Sequence, residues 1–258
     1  MAVRARSTSR AVTETVEEAR KSAMSMMRDV GFEIAQPVEV VVDSNLPFMG
    51  YTIPQGDGFR IVVSGTAVSS GMLEGLLVHE MSHIYRMQTN HPSHNGRIIG
   101  TVLSKLVSRS PLQEYQQQVL HNLVNHIQDL YADDIALKVF RTSGVLSMEQ
   151  LSRFFQGWVK DTPVESGDPR RDRWVNSSIM VNNARAIGQM ARHGIEDIGG
   201  SASKSNARFL SHVSSNVAEH FDYFRNLMTN LDRNITEEGY RVLLLEYLKR
   251  FLQIAEKT

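Results

Sequence analysis

The stretch LLVHEMSHI, residues 76–84, decides how the rest of the chain is read. Leu76, Leu77 and Ile84 belong to an apolar periodicity that runs from Leu73 to Met87, so the spacing predicts a helix from Ser70 to about Gln88. His79 and His83 are four apart and therefore stand one above the other on one face of that helix. Two imidazoles so placed can each give a nitrogen to one divalent cation, and Zn2+ suits this ligand type and spacing. Glu80 is turned by about 100° from His79. Its carboxylate reaches a water in an open coordination position rather than the metal, and a base placed there takes the proton of that water.

Working toward the N-terminus, the period changes from helical to alternating. VEVVVD (38–43) is rich in β-branched residues and reads as a strand, as do MGYTI (49–53) and FRIVVSG (59–65). Pro54, Gly56, Asp57 and Gly58 form a turn, so the last two strands make a hairpin directly before the motif helix. Val12, Val16, Ala19, Ala23, Met26 and Val30 mark a first helix that Gly31 stops. Residues 1–10 read as disordered.

Toward the C-terminus everything is helical. Residues 90–96 form a loop, and a short helix covers Ile98 to Val107. Ser110-Pro111 with Gln113 is a start signal for a helix running to about Arg141. Ser147 with Gln150 starts another, to about Lys160, and Asp168-Pro169 a third, stopped by Gly194. Two long helices are expected over 203–230 and 236–256. The expected organisation is a metal-binding lobe over 1–145 and a helical lobe over 146–258.

Composition narrows the chemistry. The chain has 258 residues and no cysteine, which removes cysteine-ligated zinc and a cysteine nucleophile, so a metal site must use histidine and carboxylates. Formal net charge is zero, and residues 1–145 hold 13 Lys+Arg against 14 Asp+Glu. Without a basic face the sequence argues against a nucleic-acid partner. No stretch approaches the ~20 apolar residues of a membrane span. The basic, Ser-rich start lacks an apolar segment behind it, so no secretory signal is expected and a cytoplasmic location is.

A third protein ligand is needed beside the two histidines. The long helix from Pro111 carries QDLYADDIAL (128–137), in which Asp129 and Asp133 share a face. Asp129 is the expected third ligand. Asp133, one turn on, is placed to accept a hydrogen bond from the distal nitrogen of a zinc-bound histidine. HEMSH followed on a later helix by DLYAD resembles the gluzincin zinc peptidases, the group of thermolysin, the HtpX-type heat-shock proteases and the minigluzincins. The resemblance covers about residues 38–140. It implies a zincin-like α+β fold whose edge strand pairs with extended substrate. His79, His83 and Asp129 would hold zinc, with Glu80 as general base and Asp133 behind a histidine. Asp129 departs from the group's usual Glu; being one methylene shorter, it requires the two helices to approach more closely. HtpX-type proteins are membrane-embedded, whereas this sequence shows no span.

Other polar residues are candidates for lesser roles. His126 lies one turn before Asp129 and is either a ligand or an oxyanion donor, or a packed polar residue. Arg185, His193 and His220 are candidate oxyanion donors. His91 and His94 read as loop residues, and Trp158 and Trp174 as core of the helical lobe. The sequence thus predicts a zinc-dependent hydrolase, a metallopeptidase acting on a peptide or protein substrate, in an α+β zincin-like fold with a small N-terminal sheet, active-site helices and a helical lobe behind. Two rivals stand beside this reading: a catalytically inactive zincin-fold binding or scaffolding protein, and a helical interaction module with an accidental motif. Substrate preference and oligomeric state are not legible.

Overall fold

A computed structural model describes residues 2–107 and 112–256 of the chain, with side chains for 12–106 and 112–256. Two compact units result: Met1–His94 with Tyr131–Leu146, and Asn95–Leu130 with Ser147–Thr258. Residues 95–130, placed in the first lobe on sequence grounds, group with the second unit.

The first unit opens with helix α1 (Ala2–Asp29), whose Val16, Ala19, Ala23 and Met27 are buried at helical spacing. The start, expected to be disordered, is instead helical from Ala2 onward, since neither Gly nor Pro interrupts the chain before Gly31. There the helix ends. Gly31 takes φ +87°, its N–H donates to Arg28 O, and Phe32 N–H donates to Met27 O. That pair of bonds satisfies two terminal carbonyls.

Strands β1 (Val38–Asp43), β2 (Gly50–Gln55) and β3 (Gly58–Ser64) form a three-stranded sheet in the order β1-β3-β2. β2 and β3 are the expected hairpin, antiparallel with Gln55 opposite Gly58, while β1 lies parallel to β3. Pro54, which cannot donate to a ladder, sits in β2 at the sheet's edge.

The short helix α2 (Gly65–Ser69) is capped by Ser64, whose hydroxyl accepts from Ala67 N–H. Gly71 at φ +70° then separates it from α3 (Leu73–Gln88), so the motif helix begins three residues later than the sequence periodicity suggests. Leu77, Val78, Met81 and Ile84 of α3 are fully buried. This face packs on α1 and on strands β2 and β3. A single 3-10 turn at Pro92–His94 follows.

In the second unit, α4 is Gly96–Val107. The expected cap at Ser110-Pro111 lies outside the described residues. α5 (Glu114–Ser143) runs through both units as one continuous helix. The remainder is helical throughout. α6 (Met148–Trp158) starts with the expected capping box of Ser147 and Gln150, and α7 (Pro169–Arg192) with Asp168 as cap. The helix expected over 203–230 is broken into α8 (Ser201–His212), α9 (Ser215–Ala218) and α10 (Phe221–Thr229). Val213 and Ser214 are both extended there, a conformation that serine readily takes ahead of a helix. α11 (Glu237–Ala255) starts at Thr236, whose hydroxyl accepts from Gly239 N–H. The architecture is therefore α+β, a small sheet with helices followed by an all-helical portion. Among the described residues no helix is long and apolar enough to cross a membrane.

Candidate metal centre

Helix α3 carries His79 and His83 on one face because residues four apart repeat almost every turn. Their Nε2 atoms lie 3.2 Å apart, with the rings edge to face. Two nitrogens about 2.0–2.1 Å from one tetrahedral zinc stand roughly 3.3 Å from each other. The observed separation is compatible with two ligands of a single ion. One donor atom from each of His79, His83 and Asp129 lies within 4.8 Å of the others, a group that could hold a metal ion. Two imidazoles and a carboxylate are the donor chemistry that zinc accepts, so the residues fit that ion.

Asp129 lies near the middle of α5. One turn beyond it, Asp133 Oδ1 lies 2.8 Å from His79 Nδ1, and Arg86 Nε of α3 donates to Tyr131 O at 3.0 Å. These two bonds hold the α5 backbone against α3 on either side of Ala132. The Asp133 carboxylate, itself buried, is an acceptor, so His79 carries its proton on Nδ1 and turns the lone pair of Nε2 toward His83.

Glu80 does not belong to the ligand set. It is buried, and Thr52 Oγ1 on the edge strand donates to its Oε2 at 2.7 Å. The same hydroxyl lies 3.4 Å from Glu80 O, so Thr52 ties the edge strand to the motif helix at both the side chain and the backbone of Glu80. Thr52 was not singled out from the sequence. Its signal is the alternation in MGYTI, which puts Thr52 on the opposite face from the exposed Tyr51 and Ile53. His94 is a correction. Read from sequence as a loop residue, it places Nε2 2.8 Å from His83 Nδ1. No local pattern could have shown this, because it depends on the 3-10 turn folding back onto α3.

On the Asp129 side, within the second unit, Arg185 of α7 lies 3.1 Å from Asp129 Oδ2. Its guanidinium also covers the Trp158 ring at 4.4 Å. Trp158 is thus a half-buried platform for a cation, while Trp174 is fully buried core. His126, one turn before Asp129, is buried, and its Nδ1 makes no hydrogen bond among the described residues. Burial, reinforced by the positive Arg185 and opposed by Asp129, pushes its pKa down to about 3, so it is neutral. His193 is the C-cap of α7, about 12 Å along the helix from Arg185. His220 is the N-cap of α10, with Glu219 Oε1 3.7 Å from its Nε2.

Over residues 9–253 the chain matches a family of unknown function, DUF5781. The chain belongs to this family. No curated protein and no solved structure matches it. Membership in DUF5781 carries no assigned chemistry, so the reading of the centre rests on the geometry of its own side chains.

Proposed function

We propose that this member of DUF5781 is a zinc-dependent hydrolase that cleaves peptide bonds, on a zincin-like arrangement of hairpin, motif helix and ligand-bearing second helix. The observation that carries the reading is the 3.2 Å separation of the His79 and His83 Nε2 atoms with an Asp129 oxygen in range of both. His79, His83 and Asp129 would hold the metal. Bound zinc polarises a carbonyl and lowers the pKa of a bound water. Glu80, adjacent in sequence to His79 but outside the ligand set, is the base. One carboxylate oxygen is held by Thr52, and the other takes the proton of the attacking water and passes it to the leaving amine as the C–N bond breaks. Asp133 keeps the His79 proton on Nδ1, away from the metal.

One observation favours a second reading, a zinc protein of this arrangement without hydrolytic activity. Glu80 is only 5% exposed and already engaged by Thr52. The Glu80→Gln variant separates the two. It keeps size and hydrogen bonding, so zinc content should stay near one per chain, while cleavage of a denatured protein or peptide library should fall by several orders of magnitude. Equal activity in parent and variant would remove Glu80 from the mechanism. A zinc-loaded parent that cleaves no member of a broad library would support the non-hydrolytic reading.

A further inference from the structure

On the Nδ1 side of His83 stands a chain of three side chains from the loop after α3. His83 Nδ1 lies 2.8 Å from His94 Nε2, His94 Nδ1 lies 2.8 Å from Ser93 Oγ, and Ser93 Oγ lies 2.7 Å from His91 Nδ1. The direction of each bond follows from one fixed point. The backbone N–H of Ser93 donates to His91 Nδ1 at 3.3 Å, so that nitrogen is an acceptor. Ser93 has one hydroxyl proton, and it must point to the same nitrogen. Toward His94 the hydroxyl can then only accept, which puts a proton on His94 Nδ1 and, in the neutral ring, leaves Nε2 as a lone pair. That lone pair accepts from His83 Nδ1–H, and the lone pair of neutral His83 is left on Nε2.

Asp133 imposes the same tautomer on His79 from the other side. The two Nε2 atoms therefore face one another at 3.2 Å as two acceptors with no proton between them. This is how two ligands of one cation present themselves. A hydrogen-bonded pair would need a donor at one end.

Resting on the zinc reading, we infer that His94, aligned by Ser93 and His91, is the positioning residue of the metal centre. It fixes the tautomer and ring orientation of His83, as a carboxylate usually does for a zinc-bound histidine. Ser93 is fully buried, so the hydroxyl that orients His94 is shielded from water. A packing role for His94 would require none of these bond directions.

The test uses zinc itself and needs no substrate. Zinc affinity is measured by chelator competition for the parent, His94→Ala, His94→Gln and Ser93→Ala, and the ring nitrogens of zinc-loaded, 15N-histidine-labelled parent are assigned by NMR. The relay predicts that His94→Ala weakens zinc binding about 10–100-fold. His94→Gln, whose side-chain carbonyl can still accept from His83, should recover most of that loss. Ser93→Ala should weaken binding in the same direction but less, because it frees the His94 tautomer without deleting the ring. In the parent, His94 should carry its proton on Nδ1, with Nε2 bare. A His94 proton found on Nε2, or His94→Ala binding zinc as tightly as the parent, overturns the relay while leaving the zinc reading intact. A parent that binds no zinc overturns both.

Discussion

In the proposed centre Asp129 would serve two cations with two oxygens. Arg185 holds Oδ2 at 3.1 Å, while the carboxylate also stands within ligand range of His79 and His83. An ion pair on one oxygen fixes the carboxylate's rotation and would let the other oxygen meet a metal without further loss of side-chain entropy. Asp133 contributes by a different route, through the proton of His79. The two substitutions therefore differ in size of effect. Asp129→Ala removes a ligand and should weaken zinc binding by more than the roughly 10–100-fold expected of Asp133→Asn, which keeps an acceptor but loses its charge. Chelator competition measures both. Parent-like zinc affinity in Asp129→Ala, with a loss in His126→Ala, would move the third ligand one turn back along α5. Glu17 shows the same physics on the surface of α1. The Arg20 guanidinium bonds both its oxygens and draws its pKa down to about 2. With 45% of that side chain exposed, the pair is a surface contact of little weight.

Among the elements, α7 and α10 of the second unit pack closely at Gly188. A Cβ at Gly188 would fall 2.9 Å from Met228 Cβ and 3.0 Å from Arg225 O, so glycine permits an approach that alanine would not. Gly100, in the exposed middle of α4, has nothing within 4 Å of its added Cβ. Opposite outcomes follow from one chemical change. Gly188→Ala should destabilise by about 1–3 kcal/mol through overpacking. Gly100→Ala should stabilise by about 0.5–1 kcal/mol through helix propensity. Urea denaturation of the two variants checks both signs, and a stabilised Gly188→Ala would show that the α7–α10 contact yields readily. Elements with explicit local chemistry were legible in advance: the hairpin around Gly56-Asp57, the Ser147/Gln150 box, and the Asp168-Pro169 start. The break at Val213-Ser214 was not. Its residues are tolerable in a helix, and the periodicity on either side continues well enough to hide it.

For the molecule as a whole, acid should act through His126. Folded, its pKa is pushed down to about 3 by burial; in the unfolded chain it titrates near its ordinary 6.5. The unfolded chain therefore gains a proton that the folded one refuses. This contribution to stability is complete above pH 6.5 and is lost as pH falls from there toward 3, at up to about 1.4 kcal/mol per unit. Between pH 7 and pH 5 the loss from this one side chain is about 2 kcal/mol. His126→Gln should remove that difference from the urea-unfolding free energy measured in metal-free protein at the two pH values, whatever its cost at pH 7. An unchanged difference would mean that His126 is charged, or reached by water, in the folded state.

The sequence by itself determined what short-range geometry can encode. A 3.6-residue period, a two-residue alternation, caps and glycine stops specify helices, strands and their ends. The four-residue spacing within HEMSH places two imidazoles on one face before any folding is considered. The tertiary structure alone decided which partners those imidazoles have. Asp133 reaches His79 from 54 residues away, Arg185 reaches Asp129 from another helix, and Thr52 reaches Glu80 across 28 residues. His94 is only 11 residues from His83, yet it meets it because Pro92–His94 turns back on α3. Such contacts are set by how whole faces pack. The burial of Leu77, Met81 and Ile84 against the sheet and α1 fixes the rotation of the motif helix, and that rotation selects which distant side chains its histidines and glutamate can touch.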